Sequence, residues 1–263
     1  MPLSPKVARA DLHFWEEPCI SGKNGSGTVF FSGCNLNCAF CQNYDVSHGG
    51  AGKRVSVEEL ADIFKELEQR GAENINLVTP SHYVYEIIKA LDIYRPSIPV
   101  VYNSGGYDST ENIAALKGYI DVFLMDFKYL SAERAKRYSG AENYPSVAAA
   151  AVKSAYSLQP ECSFKNGIMQ RGVIVRHLLL PLGTRDAINV FDWVRLNTPG
   201  AYFSIMSQYT PFGKIEHLPE INRKVTAREY NKVLSYICGT DFENVYIQER
   251  SSSDTKYIPL FTE

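Results

Sequence analysis

The sequence predicts an α/β protein built on a parallel β-sheet. Short apolar segments alternate with amphipathic helical segments along the 263 residues. Six or seven such units predict parallel strands, and strands that are apolar along nearly their whole length are typical of a sheet covered on both faces. A barrel or partial barrel is favoured over a flat doubly wound sheet, because no glycine-rich dinucleotide turn follows any strand.

The individual elements follow from local signals along the chain. Predicted strands occupy residues 27–32, 74–79, 99–103, 120–127, 172–181 and 202–206, with a further candidate at 244–248. Predicted helices occupy residues 56–70, 82–94, 110–117, 131–140, 147–158, 185–196 and 226–238. The first of these helices is typical, since Ser56 and Glu59 form a capping box at its start and Gly71 ends it.

Length and composition indicate one large domain with ordinary core content. The predicted organisation is an N-terminal extension at 1–26, the barrel at 27–250 and a C-terminal tail at 251–263 that packs near the barrel mouth. A net charge of −2 argues against a nucleic-acid surface. The apolar runs are too short to span a bilayer, and no signal peptide is visible, so a cytoplasmic protein is expected.

Three cysteines form the most specific motif. Cys34, Cys38 and Cys41 follow the first strand in the pattern C-x3-C-x2-C, with an aromatic residue before the last cysteine. Thiolates are the ligands of iron–sulfur clusters, and a four-iron cube takes four of them. Three ligands leave one iron open, and an open position is typical of a reacting metal site.

Two other interpretations use the same cysteines. Zinc could be held by the three thiolates together with His48, although zinc sites usually join two separated ligand pairs. A disulfide framework fits less well, because cysteines are sparse for this length. We interpret Cys19, Cys162 and Cys238 as ordinary thiols, and predict Cys238 to be buried at the end of a helix.

Polar residues recur where the predicted strands end. They are Thr79–Ser81–His82 after the second strand, Asn103–Ser104 after the third, Asp126–Lys128 after the fourth, Arg176–His177 within the fifth and Ser207–Gln208 after the sixth. In a barrel, the loops after the strands share one face, and function lies there. The cysteine loop follows the first strand, so all these residues are expected to surround it.

These motifs resemble the radical SAM enzymes, and within them the branch related to pyruvate formate-lyase activating enzymes. The segments that carry the resemblance read CAFCQNY, NLVTPSH, VYNSGGY, DVFLMDFKY, IVRHLLLP and QYTP, and it spans about residues 16–259. The resemblance implies a single partial (β/α)6 TIM-like barrel. It also implies a [4Fe-4S] cluster, S-adenosylmethionine and a monovalent cation as cofactors.

The resemblance also implies roles for individual residues. Cys34, Cys38 and Cys41 would be the cluster ligands and Phe40 would lie at the adenine. Thr79 and Ser81 stand where many members carry a Gly-Gly-Glu strand end that binds the methionyl amino group, and this chain has no glutamate there. The other implied cofactor-binding residues are Asn103 at the ribose or cation, Ser104 and Asp126 at the cation, Arg176 at the methionyl carboxylate and Gln208 at the mouth.

Two residues have an alternative interpretation within the chain itself. Asp126 could simply pair with Lys128, and Arg176 lies in an apolar strand, where either a ligand carboxylate or a buried aspartate would serve as its partner. Of the neighbours Arg176 and His177, one must face the helices, and His177 is the expected structural residue.

The implied activity is reductive cleavage of S-adenosylmethionine to methionine and a 5′-deoxyadenosyl radical, which then abstracts hydrogen. In the activating enzymes the hydrogen comes from a glycine of a partner protein. An external one-electron reductant of flavodoxin or ferredoxin type is expected, because the chain has no ferredoxin-like insert. The alternatives are the same chemistry on a small molecule, or a non-enzymatic iron–sulfur or zinc module.

Overall fold

One ten-stranded sheet dominates the computed structural model, which describes residues 4–48, 50–213 and 215–248. Its strands are β1 (Lys6–His13), β2 (Ser26–Phe31), β3 (Lys53–Arg54), β4 (Ile75–Val78), β5 (Val100–Ser104), β6 (Val122–Asp126), β7 (Ser163–Lys165), β8 (Ile168–Leu178), β9 (Tyr202–Met206) and β10 (Val245–Ile247). The helices are α1 (Pro18–Ser21), α2 (Tyr44–Ser47), α3 (Val57–Gln69), α4 (Val84–Ile93), α5 (Thr110–Ala115), α6 (Ala132–Ser139), α7 (Tyr144–Leu158), α8 (Thr184–Asn197) and α9 (Ala227–Cys238).

The core of the sheet is parallel, as the strand–helix alternation predicts. Its order runs β10-β9-β8-β6-β5-β4-β2, and every neighbouring pair in that run is parallel. Within the described residues the two edges of the sheet do not pair with each other, so the barrel is open. The predicted fold class, one α/β domain with a partial TIM-like barrel, is confirmed.

Three antiparallel strands extend this core, and the sequence patterns did not predict them. β1 pairs with β2, β3 pairs with β1, and β7 forms a hairpin with β8. β1 comes from the segment that the sequence places in an extension before the barrel. Its residues are mostly half-buried, so they lack the continuous apolar run that marks the central strands.

The N-terminal segment also closes one end of the barrel. β1 runs antiparallel to β2, so His13 lies beside Ser26 at the start of β2, and α1 then packs against β8. Ile20 and Cys19 of α1 are buried in a small apolar cluster whose other members are Val101, Val122, Leu124, Met169 and Ile174. The end of the barrel at which the parallel strands begin is therefore filled with apolar side chains. The opposite end, at which the strands finish, remains open for the site.

The predicted capping box at the start of α3 is present, and α9 begins with a second one. The Ser56 hydroxyl accepts a hydrogen bond from the backbone N–H of Glu59, and Thr226 does the same for Glu229. Each glutamate returns a bond to the backbone N–H of its capping residue, which satisfies two otherwise unpaired donors. These caps fix where α3 and α9 begin.

One prediction about the cysteines is wrong. Cys238 is exposed rather than buried, because the last turn of α9 presents it to solvent while Ile237 faces the core. The predicted C-terminal tail at 251–263 lies outside the described residues. In the part of the chain that the structure describes, no helix has both the length and the apolar character needed to cross a membrane.

Candidate active site

The cysteine loop leaves β2 and is held from two sides. Gly33 has φ of +96°, a backbone conformation that favours glycine, and it turns the chain out of the strand. His82 Nε2 donates to the carbonyl oxygen of Ser32 at 2.8 Å. On the other side, the backbone N–H of Ala39 donates to the carbonyl oxygen of Tyr138 at 2.8 Å, at the end of α6. The loop is therefore anchored before any cofactor binds.

Each of the three thiols has a polar neighbour. The backbone N–H of Leu36 lies 3.4 Å from Cys34 Sγ, Ser139 Oγ lies 3.0 Å from Cys38 Sγ, and Ser47 Oγ lies 3.3 Å from Cys41 Sγ. Hydrogen bonds to sulfur hold thiolates in place and tune the clusters they bind.

Burial changes the protonation of these thiols. Loss of solvent raises the pKa of Cys34 and raises the pKa of Cys38 to about 11, although the nearby Lys128 ammonium opposes both shifts. In the metal-free protein both groups are therefore neutral thiols near pH 7. A metal must displace their protons on binding, as thiolate coordination requires.

A cavity of about 660 Å³ lies inside the barrel beside the cysteines. Its lining includes ten of the sequence-predicted site residues: Cys34, Cys38, Cys41, Phe40, Thr79, Asn103, Ser104, Asp126, Arg176 and Gln208. Ser81 lies outside that lining, and its carbonyl oxygen accepts a hydrogen bond from Asn112 at 3.3 Å. The structure thus brings together residues from six different strand ends.

Arg176 is the centre of a polar cluster in this cavity. Its Nε donates to Asp126 Oδ1 at 2.9 Å, its Nη1 to Glu16 Oε2 at 2.7 Å, and its Nη2 to Asn103 Oδ1 at 2.7 Å. Burial alone would lower the pKa of Arg176, but the carboxylates of Asp126, Glu16 and Glu17 raise it above its ordinary value. The guanidinium is charged and has partners at all three nitrogens.

Asp126 links this cluster to the cysteine loop. Its Oδ2 accepts from Lys128 Nζ at 2.6 Å, while its Oδ1 accepts from Arg176. Burial would raise the pKa of Asp126, but the two cations lower it below its ordinary value. Both alternative interpretations of the sequence are thus combined in one site, since Asp126 pairs with Lys128 and also partners Arg176. Two protein cations already face the carboxylate that the resemblance assigns to a monovalent cation.

Two glutamates were missed by the sequence analysis. Glu16 bridges Arg176 and Asn103, and the neighbouring Glu17 accepts a hydrogen bond from Ser204 Oγ at 2.8 Å. Complete burial raises the pKa of Glu17. The only signal in the sequence is an acidic pair before Pro18, and its cationic partner lies 160 positions later, so no local pattern could have joined them.

The remaining predicted residues occupy defined positions around the cavity. Thr79 has φ of +58°, which is uncommon for a β-branched residue and is a kind of strain that clusters at functional sites. Ser104 Oγ donates to Asp108 at 2.7 Å and so supports the loop after β5. The ring of Phe40 packs edge-on against Tyr209, with centroids 5.8 Å apart. Gln208 Nε2 lies 3.9 Å from the sulfur of Met206.

The loop is not arranged around one small ion. Among the described residues, no three side chains of histidine, cysteine, aspartate or glutamate converge closely enough to hold a single metal ion. His48 Nδ1 instead lies 2.8 Å from Ser47 Oγ. A four-iron cluster places each thiolate on a different iron, so it suits a wider spread of sulfurs than a zinc ion does. The donor set and its position fit such a cluster.

Fold and site together define an open α/β barrel whose first parallel strand leads into a three-thiol loop. The sequence profile of the Radical SAM superfamily matches residues 28–173, which include all three cysteines of that loop. The chain belongs to the radical SAM superfamily.

A curated relative and several solved structures resemble this chain. The uncharacterized protein MJ0674 of Methanocaldococcus jannaschii is 34% identical over 233 residues. That match covers 85% of this chain and 64% of the relative, so the chain spans slightly less than two thirds of that protein.

Streptococcus suis SuiB superposes with a TM-score of 0.58 at 13% identity, over 85% of this chain and 48% of SuiB. SuiB bound to the precursor peptide SuiA gives the same TM-score and identity, over 82% of this chain and 47% of that one. Methylornithine synthase (PylB) gives 0.55 at 14% identity, over 80% of this chain and 61% of the synthase. At these identities the likeness shows the fold alone.

Proposed function

We propose that this chain cleaves S-adenosylmethionine reductively and uses the resulting 5′-deoxyadenosyl radical to abstract hydrogen from a substrate at the barrel mouth. Membership in the superfamily implies a [4Fe-4S] cluster and S-adenosylmethionine. When bound, the cluster supplies one electron to the sulfonium. The observation that carries the proposal is that Cys34, Cys38 and Cys41 line the same cavity as the half-buried charges of Asp126, Lys128 and Arg176.

The charged residues fit the amino-acid end of S-adenosylmethionine. Lys128 is a half-buried cation close to the cysteines, and Arg176 is a second half-buried cation in the same cavity. A ligand carboxylate can pair with Lys128 directly, whereas at Arg176 it would have to replace Glu16. Glu16 is then the carboxylate available to the ligand's ammonium, since the strand end at Thr79 has no glutamate.

Other cavity residues fit the nucleoside end. We propose that the backbone and ring of Phe40 contact the adenine, and that Asn103 contacts the ribose. Thr79, Ser104 and Gln208 provide further polar groups nearby. Ser81 does not line the cavity, so we propose that it contributes to cofactor binding indirectly, by supporting the loop after β4. A monovalent cation remains part of the proposal at Asp126, where it would have to compete with Lys128.

For the substrate, we propose a backbone glycine of a partner protein or peptide. A precursor peptide is bound by the structural neighbour SuiB, which supports a peptide substrate on this fold. The name of methylornithine synthase instead supports the alternative, a small-molecule substrate on the same scaffold. We propose an external reductant of flavodoxin or ferredoxin type and action in the cytoplasm.

Anaerobic reconstitution with iron and sulfide tests the chemistry. After reduction and addition of S-adenosylmethionine, we expect 5′-deoxyadenosine from the unmodified chain and none from Cys38→Ala. Cys238→Ala is the matched control, because that cysteine is exposed and outside the cavity. An assembled cluster that yields no 5′-deoxyadenosine in any variant would count against the proposal and favour an electron-transfer module.

The substrate class is tested separately. Co-expression with candidate partner proteins, followed by electron paramagnetic resonance, is expected to show a glycyl radical that depends on Cys38. The alternative is tested with a fraction of deuterium-labelled small molecules and no protein partner. Transfer of deuterium from that fraction into 5′-deoxyadenosine would overturn the peptide proposal and support a small-molecule substrate.

A further inference from the structure

We infer that Ser139, supported by Tyr129, is a positioning residue that raises the reduction potential of the cluster held by Cys38. The inference rests on the proposed function only in assuming that an iron–sulfur cluster binds at Cys38. Ser139 Oγ lies 3.0 Å from Cys38 Sγ, and Tyr129 OH lies 3.0 Å from Ser139 Oγ. Ser139 and Tyr129 are each only 1% exposed, so water does not compete for these contacts.

The direction of these hydrogen bonds follows from counting protons. A coordinated thiolate can only accept, so the single hydroxyl proton of Ser139 must point at Cys38 if that contact is to be satisfied. Ser139 Oγ then has only lone pairs left for Tyr129, and the Tyr129 hydroxyl donates to it. A chain of two donors aimed at the sulfur results, and each bond polarises the next.

The position of Ser139 is set by the end of a helix. Ser139 is the last residue of α6, which Gly140 terminates in the left-handed conformation with φ of +69°. The carbonyl oxygen of Ser139 accepts the backbone N–H of Asn37 at 3.3 Å, from the cysteine loop itself. Backbone and side chain of Ser139 thus both hold the loop, and the hydroxyl cannot turn away from Cys38 without losing its partner.

The effect on potential has a definite sign. Reduction adds one negative charge to the cluster, and a donor aimed at a sulfur stabilises that added charge. Removing the donor therefore makes the cluster harder to reduce. A hydrogen bond to a charged acceptor is stronger than one between neutral groups, and delocalisation of charge over the cluster reduces the part of that strength that is felt on reduction. We expect the equilibrium constant for reduction to fall about tenfold, a shift of about 59 mV for one electron.

The test is a redox titration of the reconstituted cluster, followed by electron paramagnetic resonance and carried out without S-adenosylmethionine. We expect Ser139→Ala to lower the equilibrium constant about tenfold and Tyr129→Phe to lower it by a smaller factor. Ser139→Thr retains a hydroxyl and is expected to restore most of the potential. Ser157→Ala, an exposed serine on α7, is the matched control and should leave the potential unchanged.

Iron and sulfide content measured on every variant separates tuning from structural damage. A Ser139→Ala variant with a full cluster and an unchanged reduction potential would overturn the inference. The inference would also be overturned if Ser139→Ala only reduced the iron and sulfide content while Tyr129→Phe had the same potential as the unmodified chain. Failure of the unmodified chain to assemble a cluster would overturn both this inference and the proposed function. If the cluster assembles and its potential shifts in the variants as expected, but S-adenosylmethionine is not cleaved, only the proposed function is overturned.

Discussion

Arg176 joins side chains that lie 50, 73 and 160 positions away in the chain. A buried guanidinium is tolerable only when it is paired and fully hydrogen-bonded, and here Asp126, Asn103 and Glu16 meet that requirement. Removal of either side of such a pair leaves an uncompensated buried charge. The stability of the barrel interior and the charge balance of the cavity therefore depend on the same residue.

We expect Arg176→Met to lower the free energy of unfolding by about 3–5 kcal/mol, because Glu16 and Glu17 lose their cation and Asp126 keeps only Lys128. Glu16→Gln should cost less, since Asp126 still pairs with the guanidinium. In a double-mutant cycle measured by urea denaturation, the two changes should be coupled by about 1–3 kcal/mol.

Arg195→Met is the matched control, because the partners of Arg195 are more exposed and its loss should change stability by about 1 kcal/mol or less. Strict additivity of the Arg176 and Glu16 effects would show that their contact contributes nothing to folding.

His177 makes stability depend on pH. Burial lowers the pKa of His177 below 6.5, even though Asp186 opposes the shift, and Nδ1 donates to the Phe127 carbonyl oxygen at 2.8 Å. Arg134 and Lys128 also disfavour the charged form. The unfolded chain therefore takes up a proton at higher pH than the folded chain. Stability is complete above about pH 6.5 and falls as pH drops through the folded pKa.

We expect the melting temperature to fall between pH 7 and pH 5, with a shallower slope for His177→Gln, which does not titrate. His82, whose pKa burial also lowers, should retain part of the slope in that variant. Thermal denaturation across this pH range is the measurement, and parallel curves for the two proteins would contradict the assignment.

At the scale of elements, helix starts were the most predictable feature. A serine or threonine followed three residues later by glutamate specifies both partners of a capping box within four positions, so α3 and α9 could be located from the sequence. β1, β3 and β7 could not be located in this way. These strands are short or half-buried, so they lack the continuous apolar run of the central strands, and pairing with a neighbouring strand stabilises them.

We expect Ser56→Ala to lower the free energy of unfolding by about 1 kcal/mol, since the N–H of Glu59 loses its acceptor. Urea denaturation provides the measurement. Ser157→Ala, which removes an exposed hydroxyl from the last turn of α7, is the control and should stay within about 0.5 kcal/mol. Equal losses in both variants would indicate that the cap adds nothing to α3.

At the scale of the whole molecule, the barrel interior is divided between an apolar end and a charged end. α1 and its neighbours fill the amino-terminal end, while the cysteine loop, Asp126 and Arg176 occupy the cavity beyond it. The N-terminal segment contributes to both ends, because Ile20 packs in the apolar cluster and Glu16 reaches the charged one.

Ile20→Ala should therefore cost about 2–5 kcal/mol, through lost burial and the cavity it leaves at the closed end of the barrel. Ile93→Ala is the matched control, because Ile93 is 55% exposed at the end of α4. Its loss should be below about 1 kcal/mol by the same denaturation assay. A small effect at Ile20 would mean that α1 is dispensable for closing the barrel.

By itself the sequence determined the strand–helix alternation, the helix caps, the three-cysteine loop and the set of polar strand ends. Each of these is encoded by residues a few positions apart, and parallel strands necessarily gather their ends on one face. Only the tertiary structure decided that Glu16 enters the site, that Arg176 and Lys128 share Asp126, that Ser139 faces Cys38 and that Cys238 is exposed. Those facts depend on contacts between distant segments, and the energy of such contacts leaves no periodic pattern along the chain.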